Sequence, residues 1–358
     1  MPYSCIVTVG PSCIEAQTLK NMQTAGADCF RINLSHSNQD SFKRYVNIIS
    51  KCGILPSIDT QGAQGRVVNV SGPENFKSQD IVLFNFKACG QEYSNSSGPK
   101  HVLTLNHQEI IDQVSVGDLI RVDFGGLIIK ITDVYKDGTT FMGSVQSPGQ
   151  CINNRAFDIT NKTLKLLPLT EFDLWALNQS KAIHSPAIFH SFASSPKDID
   201  STREKSAESA KIIAKIESKK GLINLSEIAK ASDGLLIDRG DLSREISISM
   251  IPYAVNKVIE TCKELNKPVY IATNVLDSMM TKSLPSRAEI SDIFNMFDSG
   301  ATGMVLAAEA AIGDRPVESI QIIKHMEKIV KMKKLGLLGV LKNEDVKSVL
   351  TTELQHWL

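Results

Sequence analysis

The sequence predicts an α/β fold: a (β/α)8 TIM barrel with a small all-β lid domain inserted after its third strand. Three observations predict it. Eight short runs rich in β-branched residues alternate with amphipathic helical patterns, the signature of parallel strands joined by crossover helices. One connection breaks the rhythm with β signals alone. The C-terminal ends of the runs are polar, as expected where barrel active sites lie.

In chain order the expected strands are 4–10 (SCIVTVG), 29–35 (CFRINLS), 55–60 (LPSIDT) and 187–193 (AIFHSFA). Then come 211–217 (KIIAKIE), 234–240 (GLLIDRG), 268–274 (PVYIATN) and 303–309 (GMVLAAE). Helical patterns over 15–26, 221–231 and 253–266 follow this alternation. Between 59–62 (DTQG) and 170–180 (TEFDLWALNQS) no long helical pattern occurs. The β signals there are 81–88, 101–107 and 118–145, with Gly125–Gly126 and Asp137–Gly138 as hairpin turns. A structureless loop of that length is improbable in a compact domain. The expected division is therefore 1–61 and 160–335 for the barrel, 62–159 for the inserted domain and 336–358 for a C-terminal helical extension. The insertion leaves a βα loop, so it belongs on the active-site face.

Composition narrows the function classes. Of 358 residues, 39 are Lys or Arg and 39 are Asp or Glu, so no basic excess points to nucleic acid. No apolar run reaches the ~20 residues of a membrane helix, and the N-terminus lacks the basic segment of a signal peptide. The seven cysteines are scattered without a CxxC pair, which points to a reducing cytoplasm rather than disulfides or zinc. RGD (239–241), the glycosylation-type triplets at 69–71, 95–97 and 161–163, and His184, His190 and His325 are read as incidental or packing features.

The segment 211–218 (KIIAKIES) sets two opposite charges into an apolar strand. Alternation puts Lys215 and Glu217 on one face near its C-terminal end. Buried charges are normally paired or metal-bound. Other strand ends add Arg31, Asn33, Ser35, His36, Asp59, Thr60, Asp238, Gly240, Asp241, Thr273 and Asn274. Glu217 and Asp241 suit a hard cation such as Mg2+. Arg31 and Lys215 suit a phosphate or carboxylate. Gly240 allows backbone N–H groups close to an anion. An anion clamp, a hard metal and a lid point to phosphoryl transfer.

At these residues the chain resembles pyruvate kinases. The motifs are TVGPS (8–12), FRINLSHS (30–37), IDTQGAQGR (58–66), IIAKIESKKG (212–221), ASDGLLIDRGDL (231–242), KPVYIATNVLDSMM (267–280), PSRAEISD (285–292) and MVLAAEAAIGDRP (304–316), in the family's order. The resemblance implies that Lys215 and Arg31 contact the phosphoryl group of phosphoenolpyruvate. Glu217 and Asp241 would bind Mg2+ or Mn2+, and the backbone of Gly240 and Asp241 the substrate carboxylate. Thr273 would sit near the proton-delivery path. Asn33, Ser35, Asp59 and Thr60 would form a K+ site. His36 and Arg66 would face ADP or ATP, with Arg155 replacing a lysine the family carries before 166–173. The implied protein is cytoplasmic and could pair as a homodimer through barrel surfaces.

The departures are specific. Asp238 stands where the family carries alanine. Gln61, Ala63 and Gln64 replace lysine, proline and glutamate, and the last leaves K+ dependence open. AAEA (307–310) replaces SGET, Ile312 replaces a lysine facing the nucleotide, and Asn274 replaces glutamine. About thirty residues follow the barrel motifs, so the family's further α/β domain, with its effector control, is not expected. Three readings follow: a minimal pyruvate kinase, a Mg2+-dependent keto-acid enzyme with another phosphoryl acceptor or with lyase or decarboxylase chemistry, and a non-catalytic metabolite-binding relative. Retention of the charged rim favours an enzyme, because buried charges without a task are a stability liability.

Overall fold

Eight parallel strands close on themselves in the computed structural model, which describes residues 3–86, 99–122, 126–135, 139–160, 162 and 164–336. They are Cys5–Thr8, Cys29–Asn33, Pro56–Asp59, Ala187–His190, Lys211–Ile216, Gly234–Asp238, Val269–Ala272 and Gly303–Leu306. Each pairs with its successor, and the last pairs with the first. Both faces of these strands are covered, so they read as near-continuous apolar runs.

The alternation within each strand positions the site. Ile6, Cys29, Ala187, Phe189, Ile213, Leu236, Tyr270, Ala272 and Val305 form one buried cluster of alternating strand positions inside the barrel. Two residues further along, on the same face, Cys29 gives way to Arg31, Ile213 to Lys215 and Leu236 to Asp238. The barrel is therefore apolar through its middle and charged at its C-terminal mouth. The opposite strand faces pack against the helices in a larger cluster that includes Val7, Ile32, Ile58, Ile188, Ile212 and Ile237.

Local signals delimit the helices. Glu171–Ala182 starts with a capping box between Thr170 and Asp173, and Arg287–Ser299 with one between Ser286 and Glu289. Ala16–Ala25 and Arg287–Ser299 end at Gly26 (φ 111°) and Gly300 (φ 109°), whose left-handed backbone favours glycine. The helix expected over 221–231 is two helices, Lys219–Ile223 and Leu225–Ala231. The break falls at Asn224, whose side-chain amide donates to the Ser194 carbonyl at 2.7 Å. The strands are also shorter than expected. Glu217 lies one residue past its strand, and Gly240 and Asp241 lie in a short helix, Arg239–Leu242.

A second closed barrel lies between the third and fourth barrel strands. Its members are Arg66–Ser71, Ile81–Phe86, His101–Leu105, Leu119–Val122, Leu127–Val134, Phe141–Ser147 and Arg155–Ile159. They surround their own core of Val67, Phe84, Leu103, Ile120, Ile129, Phe141 and Phe157. Pairing is antiparallel except between Ile81–Phe86 and His101–Leu105. Gly125, Asp137–Gly138, the triplet at 95–97, residues 161 and 163, and the helix expected over 340–358 lie outside the described residues. Among the described residues no helix is long and apolar enough to cross a membrane.

Candidate active site

Closing the barrel brings the second, third and fifth strands into one buried ion network. Asp59, fully buried, meets Arg31 Nη1 through Oδ2 at 2.8 Å and Lys215 Nζ through Oδ1 at 3.0 Å. Lys215 also meets Glu217 Oε1 at 2.9 Å and donates to Ser191 Oγ at 3.0 Å. Arg31 donates through Nε to Thr8 Oγ1 at 2.9 Å and lies over the Phe189 ring at 5.4 Å. Burial alone would push the Lys215 pKa down, but the Asp59 carboxylate and then Glu217 more than offset it. Lys215 is thus a buried, charged ammonium.

Glu217 is short of positive charge in spite of Lys215. Burial pushes its carboxyl up to about 8; Lys215 opposes this, and the charges of Asp238 and Asp241 add to it. Asp241 is raised as well, by burial first and then by Asp238. Carboxylate oxygens of Glu217, Asp238 and Asp241 lie within 4.8 Å of one another. A hard oxygen donor set with this excess of negative charge fits a divalent cation such as Mg2+. Asp241 Oδ1 also accepts from Gln64 Nε2 at 3.3 Å and lies 3.4 Å from Arg244 Nε.

Asp238 takes a place of its own. Its Oδ1 accepts from the backbone N–H of Gly240 at 3.1 Å, from that of Asp241 at 3.3 Å and from the Thr273 hydroxyl at 2.5 Å. Thr273 and Asn274 both have positive φ, 74° and 54°, a strained state for a β-branched residue. Arg239 holds that turn by donating to the carbonyls of Ala272, Thr273 and Asn274, and is itself paired with Asp292 at 2.6 Å.

Of the oxygens expected around K+, Asn33 Oδ1 accepts from the Ser35 backbone N–H. Thr60 Oγ1 donates to the Phe189 carbonyl and accepts from the Ser191 backbone N–H. Both oxygens of Asp59 face cations. The other expected positions gather at the mouth. His36 is exposed, yet partial desolvation and then the charges of Arg66 and Arg155 hold its imidazole pKa below the usual value. Arg66 donates to the Asn154 carbonyl at 3.2 Å. Ile312 is exposed at the end of the short helix that follows the eighth strand. Glu309 accepts from the backbone of Val275, Leu276 and Ala307, which ties the seventh and eighth loops together.

Several residues of this region carry no sequence signal of their own. Ser191 links Lys215 to the Thr60 carbonyl, to which it donates at 2.6 Å. The Phe192 N–H donates to Glu217 Oε2 at 2.7 Å. Asp173, fully buried, accepts from the backbone of Gln61 and Gly62 and so anchors the start of the inserted barrel. Asp173 is also the third residue of the capping box with Thr170.

His190 lies at the end of the fourth strand, fully buried, with Nδ1 2.8 Å from the Thr202 hydroxyl. Burial lowers its pKa from 6.5 to about 4. Above pH 6.5 neither the native nor the unfolded chain holds this proton. As pH falls towards 4, the unfolded chain binds it first, so stability declines. The loss across that window is about 3 kcal/mol. His190→Gln is expected to flatten the pH dependence of urea unfolding between pH 4 and 6.5; an unchanged slope refutes the assignment.

With this geometry in view, the comparisons are specific. The family model described as "Pyruvate kinase, barrel domain" matches residues 2–320. The pyruvate kinase of Borreliella burgdorferi is 29% identical over 339 residues, covering 93% of this chain and 69% of that protein. That of Methylorubrum extorquens is 29% identical over 332 residues, covering 91% and 68%. The crystal structure of Cryptosporidium parvum pyruvate kinase superposes with a TM-score of 0.80 at 23% identity, over 92% of this chain and 70% of that one, a likeness of fold.

Proposed function

The chain belongs to the pyruvate kinase family, and from that premise we infer that it transfers the phosphoryl group of phosphoenolpyruvate to ADP, giving pyruvate and ATP. The observation that carries this reading is the charged Lys215, buried between Asp59 and Glu217 at the mouth of the barrel. An ion network buried there is weak support for stability relative to apolar packing. What supports the reading is that a fixed, buried cation is suited to stabilising developing phosphoryl charge.

In this reading Arg31 and Lys215 receive the phosphoryl oxygens. The N–H groups of Gly240 and Asp241 and the Thr273 hydroxyl receive the substrate carboxylate. Glu217 and Asp241 hold Mg2+ or Mn2+, which when bound neutralises phosphoryl charge and orients the transfer. Thr273 stands beside the carbon that takes up the proton. His36, Arg66 and Arg155 face the nucleotide phosphates. The inserted barrel acts as the lid; its links to the site through Gln64–Asp241 and Arg244–Asp158 support that role. K+ remains a proposal for Asn33, Ser35, Asp59 and Thr60. The side-chain oxygens of Asn33, Asp59 and Thr60 are engaged with protein groups in this arrangement.

The second reading, a keto-acid enzyme with another acceptor, is favoured by Ile312 and by the seat Asp238 takes. One assay separates the two: pyruvate formation from phosphoenolpyruvate with Mg2+, with and without ADP. ADP-dependent turnover is the expected result. Pyruvate formed equally without ADP favours the second reading. No turnover from folded, Mg2+-binding protein sinks the first.

A further inference from the structure

One arginine lies between the parallel barrel and the inserted one. Arg244 follows the short helix after the sixth strand, and its side chain is only 8% exposed. On one side its Nε is 3.4 Å from Asp241 Oδ1, in the carboxylate cluster of the parallel barrel. On the other its Nη1 is 3.7 Å from Asp158 Oδ2, on the last strand of the inserted barrel. A formed charge-assisted N–H···O bond spans roughly 2.7–2.9 Å, so the guanidinium is shared between these two carboxylates and committed to neither. Asp241 Oδ1 also accepts from Gln64, which leads into the inserted barrel. Asp158 Oδ2 also lies 3.7 Å from Arg121 on the neighbouring strand.

We propose that Arg244 is a latch that couples divalent-cation binding to the position of the inserted barrel. This rests on the reading that Glu217 and Asp241 hold the cation. Without the cation, Arg244 supplies part of the positive charge that Asp241 faces, since its guanidinium favours the charged form of that carboxylate. Once Asp241 is engaged with a divalent cation, that charge is taken and the guanidinium and the ion repel. Arg244 then passes to Asp158 and draws the inserted barrel towards the mouth. The coupling is reciprocal: whatever holds Arg244 on Asp158 also favours the ion at Asp241. Arg244 is thus a positioning residue, acting through two carboxylates and not on the transferring group.

Calorimetric titration of Mg2+ into the full chain and three variants tests this. Arg244→Gln removes the competing positive charge and is expected to bind Mg2+ about fivefold more tightly or better, the lower end of coupling between sites. The gain follows because the half-exposed Asp158, screened by solvent, offsets only part of what Arg244 loses at Asp241. Asp158→Asn removes the place Arg244 moves to and is expected to bind Mg2+ more weakly by a similar factor. The double variant is expected to match Arg244→Gln, because Asp158 acts on the ion only through the arginine. Loosened packing alone would shift both single variants in the same direction. Small-angle X-ray scattering gives a second readout: Mg2+ is expected to reduce the radius of gyration of the unaltered chain and of none of the variants. Arg244→Gln that binds Mg2+ no more tightly, or Asp158→Asn that binds it no more weakly, overturns the inference. So does compaction by Mg2+ that persists in Arg244→Gln. Those results leave the metal reading of Glu217 and Asp241 standing. No Mg2+ binding by any of the four proteins removes that reading and the latch with it.

Discussion

Lys215→Met is expected to lower kcat for pyruvate formation by about 10³-fold or more, with a far smaller change in KM. The magnitude is that of losing a fixed charge aimed at a transferring phosphoryl group. The split between kcat and KM follows because Lys215 is already held by Asp59, Glu217 and Ser191 in the resting protein. Its charge gains most when negative charge builds up in the transition state. The variant is expected to stay folded. Burial raises the Glu217 carboxyl to about 8 even with Lys215 opposing the rise. Losing Lys215 raises it further, so that carboxyl keeps its proton at neutral pH and Glu217 does not become a buried unpaired anion. Steady-state kinetics with a circular-dichroism melt check both halves. A folded variant that keeps turnover within tenfold contradicts the assignment of Lys215.

Asp59→Asn is expected to have the largest effect on stability, a loss of about 3–5 kcal/mol, the range for breaking a buried ion pair from one side. Asp59 touches both Arg31 and Lys215, alone among the carboxylates of the described residues. Asn keeps its shape but removes the charge that both cations face. Arg31 cannot shed its proton, and Lys215 can do so only by giving up the charge proposed for catalysis. Turnover should fall with stability. Urea unfolding of the two proteins at one pH measures the difference, and a change below about 1 kcal/mol would assign Asp59 to a weakly coupled, solvent-screened role.

Residues 211–218 show how far local pattern reaches. The two-residue alternation that buries Ile213 inside the barrel also turns Lys215 inward, and Glu217 follows just beyond the strand end. That much could be read from the order of residues, because period 2 is a property of a single strand. Asp59 marks the limit. Its residue type suited a monovalent-cation ligand, whereas in the folded chain its two oxygens are turned to Arg31 and Lys215. Asp238 was visible as a departure from the family, but the seat its carboxylate takes was not. Ser191 and the Phe192 N–H were not visible at all, since a loop serine and a backbone amide look alike in any sequence.

The sequence by itself determined the barrel class, the eight strands, the inserted β segment and the inward face of Arg31 and Lys215. These follow from short-range periodicity, turn residues and apolar runs. Only the tertiary structure decided which charge meets which. The partners Arg31, Asp59 and Lys215 come from three different strands, and Asp238 and Thr273 from two more. Their distances are set by barrel closure and strand register, quantities that no local stretch of the chain contains.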